Sequence, residues 1–107
     1  MKNLSPKTYI GNENMSEKAY LKAGFYSKPN TYDMSFYIYK DIVKAAISID
    51  KEDFAMSVDV THNDNMFAPF YNPDDCHNNY VYEESVKEYN KQMDKLVKKG
   101  VLICEDN

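Results

Sequence analysis

The polar residues of this chain that could do chemistry gather in one stretch: Asp59, His62, Asp64, Asp74, Asp75, Cys76 and His77. Nitrogen, sulfur and oxygen donors in such a mixture suit zinc. Their spacing, however, follows no zinc-ligand pattern, and Asp, Asn and His in a loop of this kind ordinarily satisfy local backbone groups as turn formers. A thiolate at Cys76 with His62 or His77 as its base would need hydrogen-bond reach and an oxyanion hole. His77 follows Cys76 directly, so in extended chain their side chains diverge. The three glycines, Gly11, Gly24 and Gly100, stand alone and build no phosphate loop or dinucleotide fingerprint. Enzyme is therefore the least supported class, and no metal or cofactor is expected.

A second candidate is aromatic. Ten Tyr and five Phe among 107 residues exceed what a core of this size needs. Tyr and Phe bury large areas at low entropic cost and are enriched at interfaces. The sharpest instance is the apolar run from Met66 to Tyr71, set in a loop rich in Asn, Asp and Pro. Folded back over the core, the run is a lid, the commoner fate of contiguous apolar residues. Turned outward, it is a binding loop with Phe67, Phe70 and Tyr71 as anchors. Tyr26, Tyr37 and Tyr39 are further candidates for the same surface, with Asp59 and Asp64 as its acidic members.

All 13 basic residues are Lys, and the formal net charge is −4. Arg supplies the bidentate fork for phosphate and guanine, so its absence removes the commonest device for reading nucleic acid. An acidic chain is repelled by DNA unless its lysines share a face. Lys87, Lys91, Lys95 and Lys98 do recur on one side of a helix, either as phosphate contacts or as a solvated face. The Lys-only, Asn-rich and Tyr-rich usage fits an AT-rich genome, such as that of a low-GC bacterium or its phage or plasmid.

The elements that must position these residues follow from hydrophobic period and caps. Asn14 to Glu17 reads as a capping box opening a helix over 15–23, ended by Gly24. Residues 32–49 carry two patterns at once. Tyr32, Met34, Phe36 and Ile38 alternate as in a strand, while Phe36, Tyr39, Val43, Ala46 and Ile47 recur at helical spacing. The Ala45-Ala46 pair tips the reading toward a helix from Asp33 to Ser48, with two strands as the alternative. Phe54 to His62 alternates as a half-buried strand. Tyr82, Val86, Tyr89, Met93, Leu96 and Val97 form one apolar stripe of a helix over 80–99, supported by i, i+4 pairs of Glu83 with Lys87 and Asp94 with Lys98. Gly100 ends that helix, and Val101 to Cys104 reads as a buried strand pairing with 54–62.

The fold class is thus α+β, a small single domain over 1–107 with two to three helices packed on a short antiparallel sheet. A chain of this length buries roughly 65% of its unfolded surface, enough for one modest core. The absence of a membrane-length apolar segment or an apolar leader points to the cytoplasm, where Cys76 and Cys104 stay reduced. The expected function is a non-enzymatic protein-binding module, for example a phage- or plasmid-encoded inhibitor or modulator of a host protein. Were that host protein one that binds nucleic acid, Asp33, Asp41, Asp50, Asp53, Asp59 and Asp64 would offer it a phosphate-like surface. The alternative is a winged-helix-like DNA-binding domain using the Lys-rich helix, with the element order helix, helix, strand, helix, strand.

Overall fold

The computed structural model describes residues 6–67, 70 and 79–105, the side chain of Asn79 excepted. In chain order the elements are β1 (Tyr9–Gly11), α1 (Glu17–Ala23), β2 (Tyr26–Ser27), β3 (Thr31–Tyr39), β4 (Val43–Asp50), β5 (Met56–His62), β6 (Asn65–Met66), α2 (Asn79–Lys98) and β7 (Leu102–Cys104). Strands β2 to β6 form a five-stranded antiparallel sheet in sequential order, and β1 pairs with β7 in a separate two-stranded sheet. The class is α+β, with two helices among the described residues.

The segment 32–49 is a β-hairpin, not a helix. The alternation decides it: Tyr32 and Ile38 on β3, and Val43, Ala45, Ile47 and Ile49 on β4, are buried, with Met34 and Phe36 packed against them. The helical spacing of Phe36, Tyr39, Val43, Ala46 and Ile47 arose because apolar residues also occur on the far side of the strands, as at Ala46. Aromatic and β-branched side chains favour the pleated surface enough to outweigh two alanines. Lys40, at φ 49°, takes the left-handed conformation in the turn between the strands.

The first helix starts later than expected. Ser16, not Asn14, is its cap and accepts from the Ala19 amide at 3.2 Å. Glu17 consequently does not reach back; its carboxylate accepts from the Ser27 hydroxyl at 2.9 Å and so ties α1 to β2. Gly24 does end the helix, at φ 111°, where its amide reaches back to the carbonyl of Leu21.

The strand expected over 54–62 forms at Met56–His62, and the long helix forms at Asn79–Lys98. Lys87 pairs with Glu84 at 3.4 Å rather than with Glu83, and Asp94 turns toward Lys7 and Tyr9 rather than toward Lys98. The last strand does not join β5, whose two sides are taken by β4 and β6; it pairs with β1 through Tyr9↔Cys104, Ile10↔Ile103 and Gly11↔Leu102. Three residues are too short a run for periodicity to reveal β1 beforehand. A Cβ at Gly11 would lie 2.6 Å from Ile49 Cγ2, so only glycine lets β1 approach β4 this closely.

Both helices cover the same face of the large sheet. Tyr20 of α1 stacks on Tyr32, ring centroids 4.3 Å apart, and Tyr89 of α2 lies over Phe36 at 6.5 Å. Register places Tyr32, Ile49 and Met56 in one inward row, Met34, Ile47 and Val58 in the next, and Phe36, Ala45 and Val60 in a third. The helix-and-wing order of the DNA-binding expectation is not found. Between α1 and α2 run five strands rather than one, and no second helix adjoins α1 among the described residues.

Candidate functional site

The opposite face of the five-stranded sheet is open among the described residues. Its rows follow from the same register: Tyr26, Asp33, Ser48 and Ser57; then Ser35, Ala46 and Asp59; then Tyr37, Lys44 and Thr61. The residues between the buried ones are mostly small or polar, and no helix among the described residues covers this face. They enclose a shallow depression of about 320 Å³, floored by Ser35, Ala46, Ser48 and Ser57. Tyr26, 73% exposed, stands at its rim, and Tyr37, 52% exposed, stands one row beyond Asp59 and Ala46.

The two carboxylates on this face are differently placed. Asp33 is held by the Lys28 ammonium at 2.8 Å and by the Ser48 hydroxyl, which donates at 2.7 Å. These contacts, Lys28 foremost, keep its carboxyl below the usual carboxylate range despite partial desolvation. Asp59 is exposed and has no hydrogen bond or ion pair among the described residues. It is the carboxylate on this face left, among the described residues, for something else to meet.

The depressed ionisation of Asp33 has a pH signature. A carboxylate whose value falls on folding stabilises the fold above its ordinary value, and that stabilisation is lost as pH falls through the lowered one. Asp33→Asn is expected to cost up to about 1 kcal/mol at neutral pH, given the exposed Lys28. At a pH low enough to protonate the native carboxyl as well, below the ordinary carboxylate range, the two proteins should converge. Urea midpoints measured at both pH values check this; an equal gap at both would remove the ion pair from the account.

The sequence candidates are dispersed rather than gathered. Tyr37 and Asp59 share the open face. Tyr39 does not, because the register shifts between Tyr37 and Tyr39, and its ring meets Tyr80 of α2 edge-on at 6.2 Å. Asp64 lies in the β5–β6 turn, exposed, at φ 69°. Phe67 and Phe70 are 7% and 4% exposed, with Phe67 edge-on to His62 at 5.6 Å and Phe70 edge-on to Tyr89 at 5.1 Å. Both are therefore core residues here, as a lid requires, and offer no exposed anchor. Tyr71 and the chemistry-bearing run Asp74, Asp75, Cys76 and His77 lie outside the described residues, and no group of three metal-binding side chains occurs among those described.

The phosphate-like set is likewise scattered. Asp50 and Asp53 cap the β4–β5 turn, accepting from the amides of Glu52 at 2.7 Å and Ala55 at 2.9 Å. The floor serines and Lys28 were not singled out by the sequence, although a run of small residues between buried neighbours on adjacent strands is the signal that could have found them.

An α+β domain with one sheet face clad by helices and the other open among the described residues is the class this geometry defines. No protein-family model and no curated protein matches the sequence. Among solved structures, the crystal structure of a DUF1831 family protein from Lactobacillus plantarum is similar, with a TM-score of 0.71 at 10% identity, covering 98% of this chain and 94% of that one. The likeness is one of fold, and it extends over nearly all of both chains. No helix among the described residues is long and apolar enough to cross a membrane.

Proposed function

We propose that this chain is a non-enzymatic protein-binding module whose contact surface is the open face of the five-stranded sheet. The observation that carries the reading is the composition of that face: two exposed tyrosines beside a floor of small side chains, with the unpaired Asp59 among them. Aromatic rings beside a shallow depression are the usual anchors of an interface, and a floor without bulk lets a partner approach the backbone. The partner presents a basic side chain to Asp59 and apolar surface to Tyr26 and Tyr37. A modulator of a host protein in the cytoplasm would act in this way by occupying its target, without chemistry of its own. The aromatic loop is not part of the reading, since Phe67 and Phe70 are buried.

The test pairs binding with location. Wild type and a Tyr26→Ala, Tyr37→Ala, Asp59→Lys variant are compared for a stoichiometric protein retained after nuclease treatment, and hydrogen exchange of the complex is followed. The expected result is loss of the protein by the variant, at least tenfold in affinity, with slowed exchange in β3 and β5 of the wild-type complex. These three side chains are exposed, so the fold is expected to survive the changes. A partner that the variant retains, or protection confined elsewhere, would overturn this placement.

A further inference from the structure

The exposed side of α2, on the far side of the molecule from the open sheet face, carries charge of the other sign. Lys87, Lys91, Lys95 and Lys98 line a trough of about 560 Å³ together with Lys7 from the segment before β1. Among the described residues five lysines and one acidic residue, Asp94, line it, a formal +4 on a chain whose net charge is −4. Asp94 is already engaged by the Tyr9 hydroxyl, which donates at 3.3 Å, and by Lys7 at 4.0 Å. Lys91, Lys95 and Lys98 have no ion-pair partner among the described residues. Segregation of this kind on an acidic protein leaves three cations in a row without an ion-pair partner among the described residues.

We infer that this trough binds the phosphate backbone of a nucleic-acid strand without reading its sequence. At 1.5 Å per residue, Lys87 to Lys98 spans about 16 Å. A stacked strand rises about 3.4 Å per nucleotide, so the row runs beside about five phosphates. Lysine is a compact point charge suited to such contacts, whereas reading base edges calls for the planar forks and amides that this lining, Asn90 apart, lacks. Among the described residues the trough is lined by lysines, Asn90 and Asp94, without an aromatic or branched aliphatic residue, which sets it apart from a membrane-binding face, where apolar groups must insert.

The experiment is fluorescence anisotropy of a labelled single-stranded DNA 20-mer against the full chain, in a salt series from 25 to 100 mM. Four phosphate contacts give a single-strand affinity that falls about 50-fold over that range. The row variant, with Lys87, Lys91, Lys95 and Lys98 each changed to Gln, is expected to bind at least tenfold more weakly at 25 mM, with most of the salt dependence gone. A control with Lys18, Lys22 and Lys40 changed to Gln alters net charge by three but leaves the row intact, and is expected to stay within about threefold of wild type. Absence of binding at 25 mM, or equal losses in the two variants, would overturn the inference. Displacement of the strand by poly-glutamate at equal charge concentration would overturn it too, in favour of an acidic peptide.

Discussion

Tyr20→Ala is expected to destabilise the protein by about 3–5 kcal/mol, the range for removing a large buried aromatic, and so to remove most of the stability of a domain this size. The ring is fully buried, stacked on Tyr32 at an interplanar angle of 4°, edge-on to Phe25 at 5.6 Å and near Phe54 at 6.3 Å. It joins α1 to the large sheet, and its hydroxyl joins both to the two-stranded sheet, lying 2.8 Å from the Asn12 carbonyl and 3.0 Å from that of Val101. Tyr20→Phe separates the two contributions. Each carbonyl keeps a backbone donor, Met15 N for Asn12 at 3.2 Å and Asn12 N for Val101 at 2.9 Å, so loss of the hydroxyl is expected to cost about 1 kcal/mol. Urea denaturation of the two variants makes the comparison. If the phenylalanine variant fell as far as the alanine one, the hydroxyl and not the ring would be the joint.

The second large effect concerns the aromatic loop. Phe67→Ala and Phe70→Ala are each expected to cost about 3 kcal/mol, because both rings are buried and a truncated ring leaves a cavity. Phe70 packs on Tyr89, itself against Tyr9 and Phe36, so the loss at 70 reaches the interface between α2 and the sheet. Phe67 is tied down as well, its amide donating to the Val60 carbonyl at 3.0 Å. Thermal unfolding of the single variants distinguishes a lid from a binding loop. Unchanged stability with loss of a partner would return these residues to the role of anchors.

What the sequence displayed of this fold depended on how cleanly a pattern had one period. Residues 56–62 alternate strictly, and 79–98 carry a single apolar stripe, and both formed the expected element. Residues 31–50 did not have one period: Ala46 lies on the open face yet reads as apolar, and two adjacent alanines mimic helix propensity. There the tertiary context, a partner strand on either side of β4, outweighed the local preference. Pairings between distant residues were hidden for a different reason. Nothing in Tyr9-Ile10-Gly11 names Leu102–Cys104 as its mate, because register is a property of two strands and not of either alone.

The candidate surfaces divide in the same way. Tyr37, Asp59 and the lysine row were visible as residue types. That Asp59 sits opposite Ala46, which in turn faces Ser35, and that Tyr37 falls one row further on the same side, required the register of three strands. Tyr39 was misplaced with Tyr37 because a register shift between them sends residues two apart in a strand to different surroundings. Lys7 joined Lys87, Lys91, Lys95 and Lys98 only once β1 had brought residues 6–9 beside α2, where the Lys7 amide meets the Asn90 side-chain oxygen at 3.1 Å.

The pairing of β1 with β7 bears on how the chain folds during synthesis. The hairpins from β2 to β6 are local, and their contacts can form as soon as residues 26–66 have left the ribosome. Strand β1 emerges before them and yet has no ladder to join until residues 102–104 follow, more than ninety positions later. Closing so long a loop is slow, and until it closes the edge of β1 and the ring of Tyr20, whose hydroxyl lies against Val101, remain without their final partners. A nascent chain stalled before Val101 would therefore hold a formed sheet beneath an unclosed N-terminal segment, the form in which this protein is most open to aggregation or to capture by a chaperone.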